Sequence, residues 1–231
     1  MKGIFITATD TGAGKTLVSC GIIHALRGIG LRVAGMKPVA SGCEPTAEGL
    51  VSDDARQLAV ASGLAAPMDL VNPYRFLPAV APHIAAAEVG VRIDLGRIEA
   101  ACRALLGIAE AVVVEGVGGL RVPLNHQDEV VDLAKLLRLP VVLVVGVRLG
   151  CLNHALLTAE ALERRDVPIC GWVANHVDPA MAVQDENVEA LRNRLGAPMI
   201  GRVPFLDSAD PGAVAACLDV DLLRCALDLA R

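Results

Sequence analysis

The sequence predicts an α/β protein built on one doubly wound, mostly parallel sheet. Three observations lead there. Short runs of Val, Ile and Leu alternate with Ala- and Leu-rich stretches of helical period along all 231 residues. Hydrophobic residues make up 54% of the chain and aromatic ones only 2%, an aliphatic core that suits parallel strands covered on both faces. Residues with chemistry in them follow the strands, the end at which open α/β sheets bind ligands.

Residues 2–9 read as a buried strand. Residues 15–29 place Leu17, Val18, Ile22, Ile23 and Leu26 at helical spacing and end at Gly28 and Gly30, a helix and its stop. Residues 32–39 form a second strand, ended by Pro38, and Asp53 and Asp54 open a helix over 55–62. The proline-containing stretch 67–82 reads as irregular, with helices over 83–89 and 94–107. The run Ala-Val-Val-Val-Glu at 111–115 is a continuous apolar strand ending in a carboxylate. A helix at 129–138, strand 140–147, helix 152–165 and strand 168–175 follow. A helix near 184–195, a strand near 198–203 and a last helix from about 213 complete the chain. There is no repeat, low-complexity tract or linker, so residues 1–231 read as one domain.

The formal charge is −5. An acidic chain with few aromatics has neither the electrostatic footprint nor the stacking surface for nucleic acid. Seven cysteines without a C-x-x-C suggest neither a disulfide framework nor a zinc site. The opening MKGIFITATD turns polar too early for a signal peptide. The longest apolar runs, such as 139–147, are too short to span a bilayer. The expectation is a cytoplasmic protein with no membrane partner.

Residues 8–16 read A-T-D-T-G-A-G-K-T. The phosphate-loop pattern is G-x-x-x-x-G-K-[ST], and only its first position departs, at Ala8. Gly12 and Gly14 let the backbone approach phosphates, and the helix beginning near Lys15 aims free N–H groups at the anion. Lys15 would bridge the terminal phosphates and Thr16 would place its hydroxyl on Mg²⁺. A left-handed alanine costs roughly 1–2 kcal/mol, so Ala8 is harmless only if strand-like or if Gly12 takes the turn. The loop makes the expected fold a three-layer α/β/α of the P-loop NTPase type.

A phosphate site needs a metal, and the metal needs hard oxygen ligands. Glu115 ends an apolar strand, where such a carboxylate is expected, and glycines 116, 118 and 119 beside it let a ligand lie against the backbone. Its alternative is to cap the next helix. Asp54 is a second candidate ligand, the alternative being a first-turn helix acid. Lys37 closes the second strand, where it either stabilises charge on a transferring phosphoryl group or forms a salt bridge. Ser41 shares its loop and offers a hydroxyl to the acceptor. Arg148 ends a strand and faces either an interface or the substrate tail, and Trp172 reads as core.

In order along residues 2–207, "TDT…GKT", "GMKPVASG", "SDDA", "NPYRF", "PHIAA", "VEGVGG", "VVLVVGVRLGCLNHALLTAEAL", "GWVAN" and "IGRVPFL" resemble dethiobiotin synthetase. The resemblance implies that ATP, CO₂ and 7,8-diaminononanoate give dethiobiotin, ADP and phosphate, in biotin synthesis. A carbamate would attack the γ-phosphate, and the mixed anhydride would close to a cyclic urea. A homodimer working with Mg²⁺ is implied too. By this resemblance Gly12, Ala13, Gly14, Lys15, Thr16 and Leu17 hold the phosphates, and Thr16, Asp54 and Glu115 bind Mg²⁺. Lys37 and Lys15 are the catalytic pair. Ser41 and the backbone of Gly116, Val117 and Gly118 lie against the reactants. Asn175, His176, Pro204, Phe205 and Leu206 surround adenine. Gly150, Cys151, Leu152 and Asn153 of the neighbouring subunit receive the substrate carboxylate, at a helix start whose N–H groups favour an anion.

Four positions depart from the family pattern. Gly12 stands where glutamate is frequent, Val117 where a smaller residue is frequent, His176 where an acid is frequent, and Asn187 near a frequent tyrosine. The rival reading is a nucleotide-switched regulatory ATPase of the partition or division-site type. Those carry an additional lysine early in the loop, and here residues 8–11 are Ala-Thr-Asp-Thr.

Overall fold

The computed structural model describes residues 1–47 and 49–229. In chain order the elements are β1 (Gly3–Ala8), α1 (Lys15–Gly28), β2 (Val33–Met36), β3 (Val39–Ser41), β4 (Glu44–Thr46), β5 (Gly49–Val51), α2 (Asp53–Ser62), α3 (Met68–Val71), β6 (Tyr74–Phe76), α4 (Pro82–Glu88) and α5 (Leu95–Leu106). The second half carries β7 (Ala111–Glu115), α6 (Val130–Leu137), β8 (Val141–Val147), α7 (Cys151–Arg164), β9 (Ile169–His176), α8 (Gln184–Arg192), β10 (Met199–Val203), α9 (Pro211–Ala215) and α10 (Val220–Leu229).

Among the described residues, six strands make one sheet in the order β10-β9-β8-β1-β7-β2, parallel at every pairing. The chain leaves β1 towards β2, returns through β7, and crosses to β8 on the other side. β1 therefore sits where the winding reverses, and the crevice there is the natural ligand position. Strand residues alternate between layers. Ile4, Ile6 and Val113 pack with α1 and α10, while Phe5, Val112 and Val114 pack with α5 and α6. Trp172 is fully buried with Leu143 and Val145 in a third cluster under α7 and α8, the core position expected of it.

The doubly wound parallel architecture is as the sequence predicts; the departures are local. The strand expected over 32–39 stops at Met36, because Pro38 has no N–H to continue the ladder. Residues 39–76 then carry structure that periodicity does not reveal. β3 pairs with β6 in a two-stranded parallel sheet, and β4 pairs with β5 as an antiparallel hairpin. The stretch 67–82, expected to be irregular, contains α3 and β6. The last helix is two helices rather than one. The first is capped by Asp210, which accepts from the N–H groups of Gly212 and Ala213, and the second starts at Val220.

Candidate active site

Ala8 is the last residue of β1, fully buried and extended, so its side chain costs the loop no strain. The turn is made by glycines. Gly12 has φ +78° and Gly14, at the N-cap of α1, has φ +83°. The two are not equivalent. A Cβ on Gly12 would meet nothing within 4 Å, whereas one on Gly14 would lie 2.1 Å from Asn175 Nδ2. That amide donates to the carbonyl of Ala13 over 2.9 Å, pinning the loop to the end of β9. The loop's N–H groups and the start of α1 then face a cleft of about 660 Å³.

Lys15, Thr16, Lys37, Asp54 and Glu115 come together in this cleft. Glu115 ends β7 with no exposure, and Asp54 lies in the first turn of α2. The N-cap of α2 is Ser52, so Asp54 is free of the capping task. Thr16 Oγ1 lies 2.9 Å from both Asp54 Oδ1 and Glu115 Oε1, within reach to donate its one proton to either. Lys37 Nζ lies 2.6 Å from Glu115 Oε1, 2.7 Å from Asp54 Oδ2 and 3.3 Å from the carbonyl of Gly116. Lys37 is therefore salt-bridged, as one of the two sequence alternatives has it, and it also lines the cleft.

The two lysines differ electrically. Burial, and then the positive charge of Lys37, lowers Lys15 to a pKa of about 8. Burial also works against the charge on Lys37, but Glu115 and Asp54 outweigh it and the net shift is upward. Burial would raise Asp54, and Lys37 overrides it, holding the carboxyl below its ordinary value. Lys37 is thus a fixed cation and Lys15 an adjustable one.

Thr16, Asp54 and Glu115 fit a small hard cation. All three offer oxygen, and Glu115 Oε2 is buried with no hydrogen-bond partner. Among the described residues no group of three or more His, Cys, Asp or Glu gathers as a metal cage.

Other candidates divide. Ser41 lines the cleft with a buried hydroxyl that has no partner, and Gly118, at φ +59°, and Val117 form the facing wall. Gly116 is buried beneath it and Leu17 packs inward from α1. Asn175 and His176 separate, because successive strand residues face opposite sides. Asn175 faces the phosphate loop, whereas His176 Nε2 accepts from Arg202 Nε over 2.8 Å, and Arg202 also pairs with Asp185 of α8. Pro204 and Phe205 are exposed after β10, and Leu206 packs towards α1. Gly150, Cys151, Leu152 and Asn153 open α7 outside this cleft, with Gly150 left-handed at φ +95°. Asn187 of α8 turns back on its own helix and donates to the carbonyl of Val183.

Asn72 is a residue that periodicity does not reveal. Fully buried, it donates to the carbonyls of Lys37, at 2.5 Å, and Tyr74, at 3.1 Å, while Lys37 N–H bonds the carbonyl of Val71. The backbone of Lys37 is thereby clamped by the end of α3. The Asn-Pro dipeptide at 72–73 is the signal that marks this turn.

A family model described as an AAA domain matches residues 2–213. The chain is 53% identical over 221 residues to an ATP-dependent dethiobiotin synthetase of Pseudomonas aeruginosa, covering 95% of this chain and 97% of the relative. It is 53% identical over 214 residues to the synthetase of Aromatoleum aromaticum, covering 93% and 95%. It is 48% identical over 219 residues to that of Nitrosospira multiformis, covering 95% of each. Among solved structures, the septum site-determining protein MinD of Pyrococcus horikoshii, complexed with Mg-ADP, superposes with a TM-score of 0.57 at 16% identity, covering 99% and 94%. A ParA family ATPase of Chlorobium tepidum gives 0.53 at 14%, covering 100% and 99%. At those identities the likeness is one of fold. The curated relatives share about half their residues with this chain over nearly its full length, and the chain belongs to the ATP-dependent dethiobiotin synthetase family.

Proposed function

We propose that this chain joins 7,8-diaminononanoate and CO₂ into dethiobiotin at the expense of ATP. The observation that carries the reading is Lys37, a second buried cation in the cleft of Lys15, held within 2.7 Å of two carboxylates. A nucleotide switch needs the loop, its lysine and a metal site. It has no use for a fixed cation and an unpartnered hydroxyl, that of Ser41, where an acceptor would lie.

One substrate amine adds to CO₂ and gives a carbamate. The carbamate oxygen attacks the γ-phosphorus of ATP, and ADP leaves. The second amine then attacks the carbamoyl carbon, expelling phosphate and closing the cyclic urea. The amides of residues 12–17 hold the phosphates. Lys15 and Lys37 offset the charge that spreads over the transferring group, from the ATP side and the acceptor side respectively. Ser41 Oγ donates to the carbamate, and Ala40, Val80, Val117 and Val122 line the cleft with the apolar surface an aliphatic chain needs. Thr16, Asp54 and Glu115 would hold Mg²⁺, which shields phosphate charge when bound. Asn175 and residues 204–206 would face adenine. Residues 150–153 would receive the substrate carboxylate across a homodimer, in the cytoplasm.

Carbon-labelled bicarbonate supplied with the diamine and ATP tests the reading. Label appears in a cyclic urea, and ATP consumption requires diamine and bicarbonate together. Vigorous ATP turnover with no diamine present would instead favour the switch.

A further inference from the structure

The phosphate loop contains an acid. Asp10 lies two residues before Gly12 in that loop, and its carboxylate adds negative charge close to where a triphosphate would bind. The loop's shape needs that side chain nonetheless, because Asp10 Oδ1 accepts from the N–H of Thr11 over 2.7 Å. Its other oxygen, Oδ2, lies 2.8 Å from a guanidinium nitrogen of Arg148, at the end of β8. Lys15 Nζ is 3.4 Å from the Asp10 carbonyl, so the loop lysine leans on the same residue. The β8 connection extends further. Gly146 N–H points to Thr9 Oγ1 at 3.4 Å, and the carbonyl of Arg148 accepts from Cys151 N–H, the first residue of α7.

We infer that Arg148 is a positioning residue for nucleotide binding. It cancels the charge of Asp10 so that the carboxylate can shape the loop without repelling the triphosphate, and it ties the loop to the start of α7. Side chains 39% and 50% exposed make this pair a small contributor to folding stability. Its effect falls on an incoming anion, and such an effect is screened by salt. The inference rests on the reading of residues 12–17 as a triphosphate site, but not on the reaction that follows.

The test is ATP affinity by titration calorimetry, which needs no turnover. Arg148→Gln weakens ATP about tenfold at low ionic strength and less at 0.5 M salt. Arg148→Lys recovers most of the loss. Asp10→Asn keeps the acceptor for Thr11 N–H without the charge, so Arg148→Gln/Asp10→Asn binds ATP to within about threefold of the native chain. Native-like affinity in Arg148→Gln, or a double variant no better than the single one, overturns the inference. Should Arg148→Gln fail to fold, Asp10→Asn alone decides. Affinity equal to or tighter than native supports the inference, and a tenfold loss overturns it. A native chain that binds ATP yet forms no cyclic urea would count against the proposed reaction instead.

Discussion

Lys15 and Lys37 face one cleft from opposite sides, and their surroundings push them in opposite directions. Lys15 belongs to the loop side, where burial and the charge of Lys37 outweigh the pull of Glu115, Asp54 and Asp10, and its charge is destabilised to a pKa of about 8. Lys37 belongs to the acceptor side, where Glu115 and Asp54 hold it charged. On the loop side those carboxylates offset the burial of Lys15 only in part, and phosphate oxygens would complete the compensation. The side of Lys37 is already compensated by Glu115 and Asp54. Buried cations of the same type are thus divided between a sensor of bound charge and a permanent charge.

Removing the permanent charge breaks that division most severely. Lys37→Ala lowers kcat about 10²–10³-fold, the scale seen when one preorganised donor to a developing anion is lost. The variant stays folded by circular dichroism but with a lower Tm, since Glu115 keeps its burial and loses its ion pair. Wild-type turnover would remove Lys37 from the mechanism.

On the loop side the two glycines sharpen the contrast. Gly14→Ala puts a methyl group where Asn175 Nδ2 lies and forces a left-handed alanine, so ATP affinity falls roughly tenfold or more, at about 1.4 kcal/mol per decade. Gly12→Ala meets open space and carries only the backbone penalty of roughly 1–2 kcal/mol. Equal losses from both would show that Asn175 does not hold the loop.

The smallest effect is a fraction of a proton. At pH 8.5 a group of pKa about 8 is roughly three-quarters neutral, and bound triphosphate pulls Lys15 back to full charge. ATP binding therefore takes up most of a proton at pH 8.5 and far less at pH 7, and affinity falls as pH rises past about 8. Calorimetry in buffers of different ionisation enthalpy measures the uptake. No buffer dependence at pH 8.5 would mean that the free loop already holds Lys15 charged.

That the loop at 8–16, Glu115 and Lys37 meet in one cleft is legible in the sequence because each follows a strand, and local rules place a strand's last residue at the ligand edge. Ala8 is decipherable on the same terms, since a strand position tolerates alanine. The clamp on Lys37 is not legible. β3, β6 and α3 are three or four residues long, shorter than the window in which periodicity shows, and their pairing is set by contacts 35 positions apart such as Asn72 to Lys37. His176 escapes for another reason. It adjoins Asn175 in sequence, but the pleat sends its side chain to Arg202 and the opposite layer. Arg148 is visible as a strand-end cation, while its partner, 138 positions earlier, is fixed only by β1 lying beside β8.

The Asn175 amide that pins Ala13 reaches across 162 positions, and Thr16 meets Glu115 across 99. A chain emerging from the ribosome owns the whole Gly-Lys-Thr triplet, residues 14–16, long before Glu115 and Asn175 are made. It cannot shape that triplet into a receptor until β9 is laid against β8. Nucleotide can therefore reward only the nearly finished molecule, and binding acts as a late lock on folding rather than as its seed.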